Sequence, residues 1–202
     1  MEFGEGSVEV DGVRLRYLEA GHGAPLVHLQ DSGGLRLTRA HDLLARHFRV
    51  VALEMPGTSE PAALVAQAIT RVGLETFNLM GTWFGGAVAL RLALQAPGRV
   101  LALVLEAPTA IRPDHRDAEL ERRLPDLATP TLVLFGTADA VTPPAAGRIY
   151  KALMPGCHLV FVYDAGHAIG TDRPEAFAEV VADFLERHEA FVISRTATVI
   201  HP

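Results

Sequence analysis

The chain has 202 residues, 49% hydrophobic and 21% charged, with 18 Lys+Arg against 24 Asp+Glu for a formal net charge of −6. That length suits one compact domain whose core needs no staples, and an acidic balance with no basic run excludes nucleic-acid binding, because phosphate contacts need clustered cations. The single cysteine, Cys157, excludes an internal disulfide.

In chain order, VEVDGVRLRY gives two alternating runs around Asp11-Gly12, a dipeptide suited to the positive φ angles of a tight hairpin. PLVHLQ (25–30) is a strand, RAHDLLARHF (39–48) has helical spacing, and RVVALEMPG (49–57) is a strand ending in a Pro-Gly turn. AALVAQAITRVG (62–73) is a helix closed by glycine, TFNLMG a strand, GGAVALRLALQAPG a helix stopped by Pro97, and RVLALVLEAP a strand. PTLVLFG, PAAGRIYKALMPG and HLVFVYDAGH continue the rhythm as strand, helix and strand. In the closing helix, DRPEAFAEVVADFLERH, residues Phe177, Val180, Val181, Phe184 and Leu185 fall on one face, and Asp172 with Glu175 forms a capping box.

Near-continuous apolar strands alternating with amphipathic helices predict an α/β fold with a mostly parallel sheet covered on both faces. The whole chain, 1–202, then forms one domain. The tail FVISRTATVIHP, β-branched and alternating, is an extra edge strand over 190–202 or an arm that pairs with a second copy in a homodimer. Ligands bind such sheets outside the strand C-termini. This directs attention to Gln30, Asp31, Ser32, Glu54, the stretch from Gly81 to Gly86, Glu106, Asp139 and His167.

Gly81-Thr82-Trp83-Phe84-Gly85-Gly86, followed by GTADAVTP and then DAGHAIG, resembles the α/β-hydrolase family in that order, and the resemblance runs from about Val8 to Leu185. It implies the α/β-hydrolase fold with an N-terminal antiparallel hairpin, a nucleophile presented at a strained strand-to-helix elbow, and Asp139 and His167 as acid and base. At the elbow's apex this chain carries Trp83, whose indole has no nucleophilic oxygen or sulfur. Shifting the register to make Thr82 the nucleophile would put Phe84 where the elbow needs a glycine. Where the family writes His-Gly, this chain writes Gln30-Asp31-Ser32; the Phe84 N–H and one near Ser32 remain as oxyanion donors, with Asp31 opposing them. The link TAIRPDHRDAELERRLPDLA leaves room for one helix and no cap domain, which predicts a shallow, wet pocket.

Each of these residues also has a plainer reading. Trp83 plugs a disused site, or it offers a stacking platform to a small apolar or aromatic ligand. Asp139 and His167 brace two loops, or they retain general-base capacity. Glu106 is a solvated strand end, or an alternative acid for His167. The remaining histidines lack metal-ligand spacing and read as surface or packing residues, so neither a metal nor a cofactor is implied. The acidic N-terminus does not read as a signal peptide, and the longest apolar runs fall far short of a bilayer span, which predicts a cytoplasmic protein without membrane contact. The sequence therefore predicts a non-catalytic binding or interaction relative of the hydrolases, with two alternatives: an enzyme using His167 and Asp139 without a covalent intermediate, and an oligomeric structural role.

Overall fold

A computed structural model describes residues 1–31, 33–154, 156–188, 191 and 199–200. The strands are β1 (Gly4–Val10), β2 (Val13–Ala20), β3 (Pro25–Leu29), β4 (Arg49–Leu53), β5 (Phe77–Thr82), β6 (Val100–Glu106), β7 (Ile111–Arg112), β8 (His115–Arg116), β9 (Thr131–Gly136), β10 (His158–Val162) and β11 (Val199–Ile200). The helices are α1 (Arg39–Leu44), α2 (Pro61–Arg71), α3 (Phe84–Gln95), α4 (Ala118–Arg123), α5 (Ala145–Leu153), α6 (Ile169–Asp172) and α7 (Pro174–Arg187).

The main sheet runs β1-β2-β4-β3-β5-β6-β9-β10-β11. From β4 to β10 every neighbouring pair is parallel, and β1, β2 and β11 join antiparallel at the edges. Asp11 (φ 49°) and Gly12 (φ 78°) both take left-handed angles, so the β1–β2 hairpin closes through the expected tight turn. Of the tail, Val199–Ile200 pairs with β10 of its own chain; residues 189–190, 192–198 and 201–202 lie outside the described residues.

Strand side chains alternate between faces, and this divides the core in two. On one face Val27, Leu29, Leu79, Leu103, Leu105 and Phe135 pack with residues of α2, α3 and α5. On the other, Leu26, Met80, Val104 and Leu134 pack with Ala40 and Leu44 of α1, Ile169 of α6, and Phe177, Val181 and Phe184 of α7. The same two-residue period puts His28, Thr82 and Glu106, at the strand C-terminal ends, on the α1/α6/α7 face. They are neighbours across the sheet, with His28 opposite Met80 and Thr82 opposite Glu106.

One local expectation is corrected. Asp172 does not cap α7: it ends α6, its carboxylate accepts the Gly166 N–H at 2.8 Å, and Arg173 stands at the cap position. Glu175 is free of a capping box and pairs with Arg39 of α1 at 2.6 Å, tying the two helices together. The link after β6 holds the one α-helix expected, α4, with a small β7–β8 hairpin before it and a 3-10 turn at Leu124–Asp126 after it.

Candidate functional site

Between β5 and α3 the chain reverses within a single residue. Trp83 adopts φ 56° and ψ −114°, a conformation that L-residues rarely take and that costs on the order of 1–3 kcal/mol. Glycines make the turn sterically feasible. A Cβ on Gly85 would lie 2.1 Å from the Leu29 carbonyl oxygen, and one on Gly81 would lie 2.6 Å from the Gly85 carbonyl oxygen. The bend is fixed by a Trp83 N–H bond to the Glu106 carbonyl (3.0 Å) and a Gly86 N–H bond to the Trp83 carbonyl (3.1 Å).

The half-buried indole lies flat against His167, with ring centroids 4.9 Å apart and planes 12° from parallel, and its N–H donates to the His167 carbonyl at 2.9 Å. His167 Nδ1 meets Asp139 Oδ2 at 2.8 Å. The other Asp139 oxygen accepts the N–H groups of Val141 and Thr142, each at 2.8 Å, and the Asp139 side chain is fully buried. The two loops that follow β9 and β10 are thus joined through a carboxylate–imidazole pair whose outer face is covered by an indole.

A cavity of about 400 Å³ opens beside this cluster, and its wall includes Trp83, Gln30, Asp31, Glu106 and Thr82. It runs inward between the sheet and the α1/α6/α7 layer, where buried Leu44, Met80 and Phe177 also line it. The expectation of a shallow pocket is therefore corrected: the sheet-to-helix layer supplies depth that a cap domain would otherwise supply. Asp139 and His167 do not line the cavity. Phe84 is 43% exposed on the opening turn of α3 and does not line it either. Ser32 lies outside the described residues.

Glu106 is not a solvated strand end. It is 5% exposed, and one carboxylate oxygen accepts the Gly170 N–H at 2.8 Å while the other accepts the Thr82 hydroxyl at 3.1 Å. Burial pushes its carboxyl up to about 7, against the opposing pull of these hydrogen bonds. The sequence gives no warning of the next partners. His28 Nε2 lies 2.7 Å from Thr82 Oγ1, and His28 Nδ1 lies 2.9 Å from His41 Nε2. His41 Nδ1 lies 2.9 Å from the Thr38 backbone nitrogen.

The proton positions follow from that last contact. A backbone N–H can only donate, so His41 Nδ1 is bare and a neutral His41 carries its proton on Nε2; the Gln30 amide nitrogen, 3.3 Å from that Nε2, gives a hydrogen to the Arg36 carbonyl at 2.6 Å instead. His28 Nδ1 must then accept, and His28 Nε2–H donates to Thr82, whose hydroxyl donates to Glu106. Burial lowers both imidazoles, His41 to about 4 and His28 well below its ordinary value, which keeps both neutral. A relay of four donors, from the Thr38 N–H through His41 and His28 to the Thr82 hydroxyl, therefore ends on the carboxylate, which also accepts the Gly170 N–H. Thr82 is also excluded as an activated nucleophile, because the imidazole nitrogen beside it holds a proton and cannot take another.

The TAP-like protein family model matches residues 104–190, a segment that contains Glu106, Asp139 and His167. Over 115 residues the chain is 35% identical to the dihydrolipoyllysine-residue acetyltransferase component of the acetoin cleaving system of Cupriavidus necator, covering 50% of this chain and 31% of that protein. It is 28% identical over 156 residues to Protein ABHD14A of Rattus norvegicus, covering 71% and 62% respectively. The chain thus spans about a third of the first of these relatives and less than two thirds of the second. Among solved structures, a bacterial membrane phospholipase A superposes with a TM-score of 0.81 at 22% identity, over 91% of this chain and 86% of that one. Carboxylesterase CesB from Bacillus subtilis superposes with a TM-score of 0.78 at 19% identity, over 92% of each chain.

The chain has the α/β-hydrolase fold. Within that fold, Trp83 stands on the turn between a central strand and the helix after it, and Asp139 and His167 follow the two later strands β9 and β10. Among the described residues, no helix is long and apolar enough to cross a membrane, and no group of three His, Cys, Asp or Glu side chains is placed to hold a metal ion.

Proposed function

We propose that this chain is a non-hydrolysing relative of the α/β-hydrolases, a small-molecule binding module in which Trp83 occupies the nucleophile's position. The observation that carries this reading is the engagement of the indole. At the strained apex of the elbow the side chain is stacked on His167, and its N–H is already bonded to the His167 carbonyl. That arrangement supplies no attacking atom and covers one face of the imidazole that would activate one. In a well-studied serine protease, removal of the nucleophile costs about a millionfold in turnover. The cavity behind Trp83 remains large enough for a ligand, within the usual range for small-molecule sites.

One observation favours a second reading. The Asp139–His167 contact of 2.8 Å is intact, and an imidazole so held acts as a general base on water. Base assistance of that kind is worth roughly 10² to 10⁴-fold. Hydrolysis of acetyl and butyryl aryl esters by the wild type and by His167→Ala separates the two readings. The binding reading predicts rates equal to buffer for both proteins. Turnover by the wild type that disappears in His167→Ala would replace it with the general-base reading.

A further inference from the structure

The geometry points to a small organic ammonium ion, a protonated primary amine on a compact apolar body, as the ligand of the cavity, seated against the Glu106 carboxylate. This inference rests on the binding reading above and adds the chemical class of the ligand.

The direction of the hydrogen bonds carries the argument. The Thr38 N–H fixes the tautomer of His41, His41 fixes His28, and His28 fixes Thr82, so each donor in this row is spent on the next group. What the row has left to offer at Glu106 is acceptor capacity: the remaining lone pairs of the Glu106 carboxylate and of the Thr82 oxygen. An ammonium group is the complement, with three donors and no acceptor. A carboxylate ligand seated at Glu106 would meet acceptors with acceptors, and among the lining residues would find a cationic donor only at the exposed Arg36. A neutral alcohol would satisfy one lone pair and leave the charge unmatched.

Charge selects in the same direction. No cationic side chain among the described residues contacts Glu106; its partners are Thr82 and the backbone of α6, and Asp172 adds a further negative charge nearby. A buried carboxylate without a counter-cation is costly, and a bound cation relieves that cost. The two imidazoles of the wall stay neutral and do not compete for the role. Arg36 and Asp31, of opposite sign, also line the cavity, and Arg36 is exposed. The remainder of the lining suits the apolar body: Leu44, Met80 and Phe177, with the Trp83 indole as a further aromatic surface.

Calorimetric titration of the full chain with benzylammonium, benzyl alcohol and benzoate at pH 8 tests the proposal, with quenching of Trp83, the chain's one tryptophan, as a second readout. The expected result is saturable binding of benzylammonium, weaker by at least about tenfold for the alcohol and the benzoate, because only the cation makes charge-assisted bonds. Glu106→Gln should reduce benzylammonium affinity by about tenfold or more. Absence of benzylammonium binding, or binding of the alcohol or benzoate as tight or tighter, overturns the proposal on the wild type alone, whether or not the variant folds. Undiminished benzylammonium affinity in a folded Glu106→Gln variant also overturns it. Failure here with no ester turnover removes only the ligand class. Ester turnover dependent on His167, with ammonium selectivity intact, removes only the non-hydrolysing reading.

Discussion

Burial, more than any neighbouring charge, sets the behaviour of Glu106, and it has a consequence for stability. The carboxyl rises from 4.5 to about 7 on folding, so the folded chain holds a proton that the unfolded chain has released between those values. A raised carboxyl contributes stability that is fully present below pH 4.5 and lost as pH climbs through about 7. His41 works in the opposite sense: lowered from 6.5 to about 4, it contributes stability that is present above 6.5 and lost as pH falls through about 4. Between the overlapping limits His41, joined by the still more strongly lowered His28, opposes the Glu106 loss, and above pH 6.5 that loss stands alone. Unfolding free energies from denaturant titrations at pH 5 and pH 8 should therefore shift against the wild type relative to Glu106→Gln by roughly 2 to 3 kcal/mol. Parallel pH profiles for the two proteins would show that Glu106 is not held in a desolvated site.

At the scale of the element, the β5–α3 turn is a tightly constrained joint, with a strained Trp83 backbone between crowded glycines. Gly81 and Gly85 are required first by contact with backbone oxygens rather than with movable side chains. A Cβ at Gly85 would sit 2.1 Å from the Leu29 carbonyl oxygen, which belongs to the adjacent strand β3. Gly85→Ala should push α3 away from the sheet and destabilise the fold by roughly 1–3 kcal/mol or more. Gly98→Ala serves as a contrast: at φ 85° it is strained by its backbone angle alone, with no atom within 4 Å of an added Cβ. Thermal unfolding should show the larger loss at Gly85; equal losses would mean that the elbow has room to relax. This joint was also the most legible part of the sequence, because a glycine-lined strand-to-helix turn imposes a local spacing that no other element shares. The hairpin at Asp11-Gly12 and the two faces of the sheet were legible for the same reason, each set by a short period. The capping of α7 was not, because Asp172 is taken by the Gly166 N–H, and only the folded loop shows that competition. His28 and His41 were hidden for a related reason. Their contacts span 13 residues to each other and 54 from His28 to Thr82, and a histidine in an apolar strand looks the same whether it packs or relays hydrogen bonds.

For the molecule as a whole, sheet order decides what can meet. Placing β3, β5 and β6 side by side brings His28, Thr82 and Glu106 into one row, and folding α1, α6 and α7 over that face encloses the row in a cavity. Placing β9 and β10 beyond β6 brings Asp139 and His167 to the other side of Trp83. The indole is thus the partition between an acid–imidazole pair that resembles catalytic equipment and a chamber with the properties of a binding site. The shallow pocket expected from the missing cap assumed that depth comes from above the sheet; here it comes from between the layers. The proposed reading requires that Trp83 supply no attacking atom while the elbow around it could still present one. Intact-mass analysis after exposure to a fluorophosphonate probe tests this most directly, on the wild type and on Trp83→Ser. The account predicts an unmodified wild type and a single adduct on the variant, mapped to position 83. A wild type that takes the probe, at Thr82 or at any other residue, would contradict it.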